Sequence, residues 1–408
     1  MPGSPPPPSP RTSRWTRGWG ITAALSVTET VSYGVLYYAF TAFLVPMRDD
    51  LGLATAEVTG ALSLAILVSA PAGIVVGRYL DRHGPRALMT AGAVAGTALV
   101  LAWSRVEGLA SLYLVWLAIG LVMATVFYEA AFTVLAKHFA AAEERRRAMT
   151  AVTLVAALSS FIFVPLSQLL IDAHGWRDAL VILAAVLGAV TIPLHALVLQ
   201  RAPDEPREGG RHAPSARAGA VLRSADFWFL SAAFFLSQFA AIAALVHAIP
   251  FLLERGYSAT FAAFAVGFFG IAQIPGRVLF TPLAARLRPA TSTAVVFLLV
   301  AAGVGVIVAI SGAAAVVAGF VLLGMGNGMA TLARATVIAD RYGQAAYGTI
   351  SGVAQAVTIA ARGAAPVTAS LYLAVVGYGA LLWSLTAVAL VAAVLGFAAE
   401  RSAAPAGP

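Results

Sequence analysis

The chain has 408 residues, of which 60% are hydrophobic and only 11% are charged. Soluble domains are about 45 to 50% apolar and about 25% charged. A water-soluble fold of this length could therefore not bury so much apolar surface. The formal net charge of +8 does not indicate nucleic-acid binding, because the basic residues stand singly between apolar stretches and are better explained by the bias of positive residues towards cytoplasmic loops. The absence of cysteine excludes disulfides, thiolate zinc sites and thiol catalysis.

The apolar residues form stretches close to the length of about 20 residues that a helix needs to cross the hydrocarbon core. Unpaired backbone groups are costly in lipid, so these stretches are expected to be helices and the chain an all-α membrane protein. Charged residues, glycine and proline separate twelve predicted spans, at 18–47, 56–80, 87–104, 109–137, 148–172, 179–200, 226–253, 259–285, 290–311, 313–338, 348–375 and 378–399.

Polar segments divide the predicted spans into two sets of six. Residues 1–17 contain four consecutive prolines and three arginines, which predicts a disordered cytoplasmic tail rather than a cleaved signal. Residues 201–225 are rich in proline, glycine and charge and predict a cytoplasmic linker. The expected domains are an N-terminal six-helix bundle at 18–200 and a C-terminal six-helix bundle at 226–400, followed by a tail at 401–408.

The basic residues outside the spans predict the orientation. If the N-terminus is inside, only Arg48, Arg105, Arg177 and Arg255 fall in outer loops, and the other arginines and lysines outside the spans fall in inner segments. Basic loops stay in the cytoplasm. The sequence therefore predicts a multi-pass protein of the cytoplasmic (inner) membrane with both termini cytoplasmic.

The two halves of the sequence share a repeated spacing of proline and arginine. Pro71 and Arg82 of the second span are eleven residues apart, and Pro275 and Arg286 of the eighth span repeat that spacing. Parallel repeats of this kind are one transporter architecture, so two pseudo-symmetric bundles are expected.

The loop after the second span, residues 77–86, reads G-R-Y-L-D-R-H-G-P-R. It resembles the G-x-x-x-D-R-x-G-R-R signature of the major facilitator superfamily, with a proline replacing one basic residue. The resemblance implies the twelve-helix fold of that superfamily and a conformational latch formed by Gly77, Asp81, Arg82, Gly84 and Arg86. Here Gly77 would allow close helix approach, Asp81 would pair across the halves and Gly84 would make the turn. The alternative is a plain basic turn.

A second resemblance runs from His138 and Phe139 through three arginines at 145–147 to the G-W-R turn at 175–177. This pattern is similar to the monocarboxylate and oxalate transporter branch. The resemblance implies that Arg277, by its position in the eighth span, binds a substrate carboxylate, and that Arg362 in the eleventh span supplies a second contact. Guanidinium suits the task because its planar fork pairs bidentately with carboxylate. The alternative is a structural ion pair or a helix cap for Arg277, and helix packing for Arg362.

Two carboxylates also lie within predicted spans, where each must face protein, water or ligand. A buried carboxyl group that binds and releases a proton would couple transport to protons, so Glu29 and Glu129 are proton-coupling candidates, with a helix-joining salt bridge as the alternative. Monocarboxylate carriers usually have an acid one turn before the eighth-helix arginine, where this chain has Gln273. Arg334 lies nearer the cytoplasmic end of its span and can snorkel, which favours a structural role.

Neutral polar side chains in several spans are candidates for the lining of a substrate cavity. Each of them could instead form an interhelical hydrogen bond, and His247 is expected to be a satisfied interfacial histidine. The predicted substrate-binding set, besides Arg277 and Arg362, is Tyr33, Tyr37, Tyr128, Gln238, Gln273, Asn327 and Gln355.

No nucleotide-binding loop, zinc motif or plausible catalytic triad occurs in the sequence, so we expect secondary transport rather than enzyme activity, with neither cofactor nor metal. The leading hypothesis is alternating-access transport of a small organic anion, a carboxylate, with proton coupling as a further possibility. The alternative is a proton-driven exporter of drugs or small molecules, and a sensor on the same fold is a third. The expected partners are a small-molecule solute, protons and the lipid bilayer, without nucleic acid, and the chain is expected to be a monomer.

Overall fold

The computed structural model describes residues 10–139, 141–199, 216–342 and 347–401. The described residues are helical almost throughout and contain no strand. A short π-helix, Gly34–Tyr38, lies between the first two α-helices. The α-helices are α1 (Pro10–Tyr33), α2 (Phe40–Leu51), α3 (Thr55–His83), α4 (Pro85–Trp103), α5 (Leu109–Val126), α6 (Tyr128–His138), α7 (Ala142–Ala156), α8 (Ser159–Leu197), α9 (Ala216–Leu222), α10 (Ala225–Glu254), α11 (Ala259–Arg286), α12 (Pro289–Ala309), α13 (Ala313–Tyr342) and α14 (Tyr347–Arg401).

Within the described ranges, ten stretches are long and apolar enough to cross a membrane. Two of them, Glu143–Leu197 and Ile350–Ala399, contain 55 and 50 residues, far more than the roughly 20 that one crossing needs. Each contains one glycine with non-helical angles, Gly175 at φ 77° and Gly377 at φ 79°. Glycine adopts positive φ without a steric penalty, so each long stretch is two helices joined at a sharp turn, where the sequence also predicted a boundary.

The apolar cores show how the two halves meet. We call the end where α1 begins and α14 ends the terminal end, and the other the opposite end. Near the opposite end one shared core contains residues of both halves, such as Phe43 and Trp116 with Val266 and Leu385. Near the terminal end the first and second halves have separate cores. The halves therefore pack together at the opposite end and part at the terminal end.

Small residues allow the close packing of the halves. A Cβ atom on Gly270 of α11 would collide with the Ser160 side chain of α8, and Ser160 Oγ donates to the carbonyl of Gly267 at 3.3 Å. In another contact between the halves, a Cβ on Gly363 of α14 would lie 2.6 Å from Leu67 of α3. Glycines at such crossings let helix backbones approach closely.

The signature loop lies at the terminal end. Gly84 has φ 82° and joins α3 to α4, as predicted for the turn. Lys137 Nζ donates to the Leu80 carbonyl at 2.6 Å. A Cβ on Gly77 would meet no atom within 4 Å, so the close helix approach predicted for this glycine is absent here, where the halves are apart. Arg82 and Arg86 are exposed, the side chain of Asp81 lies outside the described part, and the latch stays a prediction.

Candidate functional site

A cavity of about 420 Å³ lies between the two halves, lined by residues of both. It contains the whole of the predicted substrate-binding set, brought together from six α-helices and the π-helix. That set is Tyr33, Tyr37, Tyr128, Gln238, Gln273, Arg277, Asn327, Gln355 and Arg362. Of the two proton-coupling candidates, Glu129 lines the cavity.

Arg277 extends from α11 towards the first half. Its Nη1 donates to the Thr153 carbonyl of α7 at 2.7 Å, and its Nη2 donates to Gln273 Oε1 at 3.2 Å. Gln273 precedes Arg277 by one helical turn, so its amide oxygen supports the guanidinium without neutralising its charge. These two bonds use two of the five N–H donors of an arginine, which leaves others for a ligand.

Arg362 lies near the middle of the first helix of α14. Its Nε is buried and has no hydrogen-bond partner. Tyr33, Tyr37 and Tyr38 are among the groups close enough to interact electrostatically with it. An arginine inside a membrane protein must face a polar partner, water or a ligand, and Arg362 lies at the wall of the cavity with aromatic hydroxyls around it.

The π-helix determines which tyrosines reach the cavity. Its characteristic bond runs from Ala39 N to Gly34 O at 2.8 Å, five residues back. Tyr33, Tyr37 and Tyr38 all line the cavity. In a regular α-helix Tyr33 and Tyr37 lie on one face and Tyr38 lies on another, so Tyr38 was not predicted to line the cavity. The π-helix has more residues per turn, and this places Tyr38 at the cavity as well. Such π segments occur frequently at functional sites.

The fourth predicted span is broken inside the membrane region. Phe127 is extended (φ −100°, ψ −177°) and separates α5 from α6. Tyr33 stacks on its ring, with centroids 3.9 Å apart. The new helix starts at Tyr128, with Glu129 in its first turn, so the positive end of the α6 dipole lies at the cavity. No glycine or proline marks this break in the sequence.

Glu29 lies behind the cavity wall rather than in it. It is fully buried, and neither carboxyl oxygen has a hydrogen-bond partner. Glu129 is near enough to interact with it electrostatically. A buried carboxylate without partners is costly, which favours the protonated, neutral form of this side chain. The structure thus separates the two candidates: one faces the cavity and one is enclosed next to it.

Arg334 also lines the cavity, and its Nη1 donates to Thr358 Oγ1 at 2.8 Å. The sequence favoured a snorkelling, structural role. The overlooked signal is spacing: Asn327, Thr331 and Arg334 follow each other at four and three residues, which places them on one helix face. Other lining residues that were not predicted include Thr153, Ser237, Ser351 and Thr358.

His247 belongs to the closed opposite end rather than to the cavity. It is fully buried, and its Nε2 lies 3.1 Å from Ser370 Oγ. Ser370 Oγ lies 2.8 Å from Thr59 Oγ1 of the first half, so a chain of three polar side chains crosses the interface. The Nδ1 of His247 has no partner, which departs from the fully satisfied histidine that was expected.

Comparison with known proteins gives consistent findings. The family model of the Major Facilitator Superfamily matches residues 25–366. The chain is 29% identical over 273 residues to monocarboxylate transporter 13 of Bos taurus (64% of this chain, 60% of the relative). It is 30% identical over 271 residues to monocarboxylate transporter 11 of Homo sapiens (64% and 55%). It is 25% identical over 232 residues to the oxalate:formate antiporter of Oxalobacter formigenes (54% and 53%). The matches span between half and three fifths of these relatives.

Solved structures share the fold at low identity. A bacterial homologue of the human lysosomal transporter Spinster, inward-facing and unoccupied, superposes with a TM-score of 0.76 at 14% identity, covering 95% of this chain and 98% of that one. A mutant of the nucleoside transporter NupG gives a TM-score of 0.74 at 10% identity, covering 93% and 99%.

Proposed function

Because the chain belongs to the Major Facilitator Superfamily and is a multi-pass membrane transporter rather than an enzyme, we propose that it moves a small organic anion, a carboxylate, by alternating access. The transport is secondary, driven by the gradient of the solute or of protons.

The charge of the cavity lining carries this proposal. Apart from Arg334, the described residues that line the cavity include two arginines, Arg277 and Arg362, and a single carboxylate, Glu129. Charges at membrane depth are costly unless they meet an opposite charge, a polar partner or water. An excess of guanidinium groups therefore favours a negatively charged solute. The names of the relatives point to the same class, since they include monocarboxylate transporters and an oxalate:formate antiporter.

The proposal includes the orientation of the chain. It crosses the cytoplasmic membrane twelve times with both termini inside, because the basic loops lie at the terminal end. The parting of the two cores at that end corresponds to a cavity open to the cytoplasm. The fold neighbour in an inward-facing state supports this interpretation.

Proton coupling is the finer part of the proposal. In this proposal Glu129 contacts the solute in the cavity, and the enclosed Glu29 next to it carries the proton. Loss of that proton would place a charge near Glu129, Tyr33 and Tyr128. Protonation and anion binding would then favour each other, as co-transport requires.

Uptake into proteoliposomes tests the function. A labelled panel of mono- and dicarboxylates would be offered with and without an inward proton gradient, to the native chain and to Arg277→Gln. We expect uptake of at least one acid by the native chain and its loss in the variant. Arg286→Gln is the matched control, because Arg286 is exposed on the same helix at the terminal end, and it should retain uptake.

Two outcomes would contradict the proposal. If no acid enters but a cationic dye or drug is extruded, and Arg277→Gln does not alter that extrusion, the chain is a cation exporter with structural arginines. If an acid enters equally well in Arg277→Gln, the chain carries anions by a different site.

A further inference from the structure

Two polar rows line the cavity on two helices of the second half. On α13 the row contains Asn327, Thr331 and Arg334, and on α14 it runs from Ser351 through Gln355 and Thr358 to Arg362; all seven residues line the cavity. Spacings of three and four residues place each row on a single helix face. The bond from Arg334 Nη1 to Thr358 Oγ1, 2.8 Å, joins the rows.

This arrangement fixes where Arg334 lies relative to Arg362. Thr358 precedes Arg362 by four residues, a rise of about 6 Å along an α-helix. The guanidinium of Arg334, bonded to Thr358, therefore lies about one turn nearer the terminal end than the backbone of Arg362. The two arginines thus join the cavity wall at two levels, with Arg334 nearer the terminal end.

Arg341 lies on the same helix as Arg334 and has a structural role. It donates to the Ala399 carbonyl at 2.8 Å and forms a 3.0 Å ion pair with Asp226. It joins α13 to α14 and α10 at the terminal end, and it is not among the residues that line the cavity. Arg334, two turns further in, is among the residues that line the cavity.

We propose that Arg334, held in place by Thr358, forms a second carboxylate subsite, and that the preferred solute is a dicarboxylate longer than oxalate. One carboxylate would lie at Arg277 and Arg362, and the other at Arg334; the Thr358 hydroxyl accepts from Arg334 and donates to the Ala354 carbonyl at 3.0 Å, so it positions the guanidinium. A separation of about one helical turn requires carbon atoms between the two carboxylates, which oxalate does not have. The inference rests on the proposed anion transport and names its substrate class.

The test compares matched acids. Proteoliposomes with the native chain, Arg334→Gln, Arg334→Lys and the control Arg341→Gln would be given labelled succinate and labelled butyrate, which have the same number of carbon atoms. KM and maximal rate would be measured for each acid, and thermal unfolding in detergent would establish that each variant is folded. Succinate monomethyl ester, which keeps the length but has one charge, would serve as competitor.

We expect the native chain to prefer succinate. Arg334→Gln should raise the KM for succinate by about tenfold or more, as the loss of a charge-assisted hydrogen bond implies. It should leave the KM for butyrate unchanged. Arg334→Lys should recover part of the preference, because the charge is kept. Arg341→Gln should lower the unfolding temperature and leave the ratio of the two KM values as it was.

The outcomes separate this inference from the function on which it rests. Uptake of butyrate but not succinate, or an equal loss of both acids in Arg334→Gln, would overturn the second subsite and leave the anion carrier intact. Uptake of no acid by the native chain would overturn both.

Discussion

Glu29 is the residue whose surroundings differ most from those of an ordinary surface carboxylate. It is fully buried with both oxygens unpaired, close to Glu129. We predict that Glu29→Gln abolishes the response of uptake to a proton gradient, because the amide stays permanently neutral, while exchange of labelled for unlabelled acid without a gradient continues. Measuring both rates in proteoliposomes checks this. Glu107→Gln, on an exposed loop, is the control, and a variant that still responds to the gradient would exclude Glu29 as the proton carrier.

Arg277 supports a second prediction at this scale. Its guanidinium group donates hydrogen bonds to the Thr153 carbonyl and to Gln273 Oε1 at the same time. The single nitrogen of lysine cannot make both bonds with the same geometry. Arg277→Lys should therefore raise the KM for a transported carboxylate by about tenfold and still transport, unlike Arg277→Gln. Initial rates over a range of acid concentrations give the KM. Identical kinetics in the lysine variant would mean that charge alone suffices.

The cavity residues differ in whether the sequence alone could predict their position. Two arginines of the cavity, Arg277 and Arg362, and its tyrosines at 33, 37 and 128 could be predicted because a polar group in an apolar span must face something other than lipid. Tyr38 could not be predicted, because its side chain reaches the cavity through a π-helix, and no residue type in the sequence predicts a π-helix. The parting of α5 from α6 at Phe127 was missed for a similar reason, since tertiary packing rather than a breaker residue holds it.

At the scale of helices, close crossings hold the halves together, and Gly270 tests them. A leucine there would collide with Ser160 of the other half. Gly270→Leu should destabilise the protein by about 1–3 kcal/mol, as overpacking does, and should slow transport by disturbing the closed opposite end. Thermal unfolding in detergent and uptake rates measure the two effects. Gly73→Leu is the control, since a Cβ on Gly73 meets no atom within 4 Å; equal behaviour of the two variants would contradict the prediction.

For the molecule as a whole, the sequence predicted an all-α membrane protein with the fold of the major facilitator superfamily, because hydropathy and charge report on the membrane directly. It could not predict which end is closed, because in the proposed alternating access one sequence adopts both states. The structure has a shared core at the opposite end and separate cores at the terminal end. The polar chain of Thr59, Ser370 and His247 lies on the closed side.

That closure gives the last prediction. Thr59 Oγ1 and Ser370 Oγ are 2.8 Å apart across the halves, near enough for cysteines at both positions to form a disulfide after small adjustments. The chain has no cysteine of its own, so no other thiol can interfere. If the opposite end must open in each cycle, oxidation of Thr59→Cys/Ser370→Cys should stop transport and reduction should restore it. Each single variant should be insensitive to oxidant. A fully oxidised double variant that transports at the reduced rate would mean that the solute passes without opening this end.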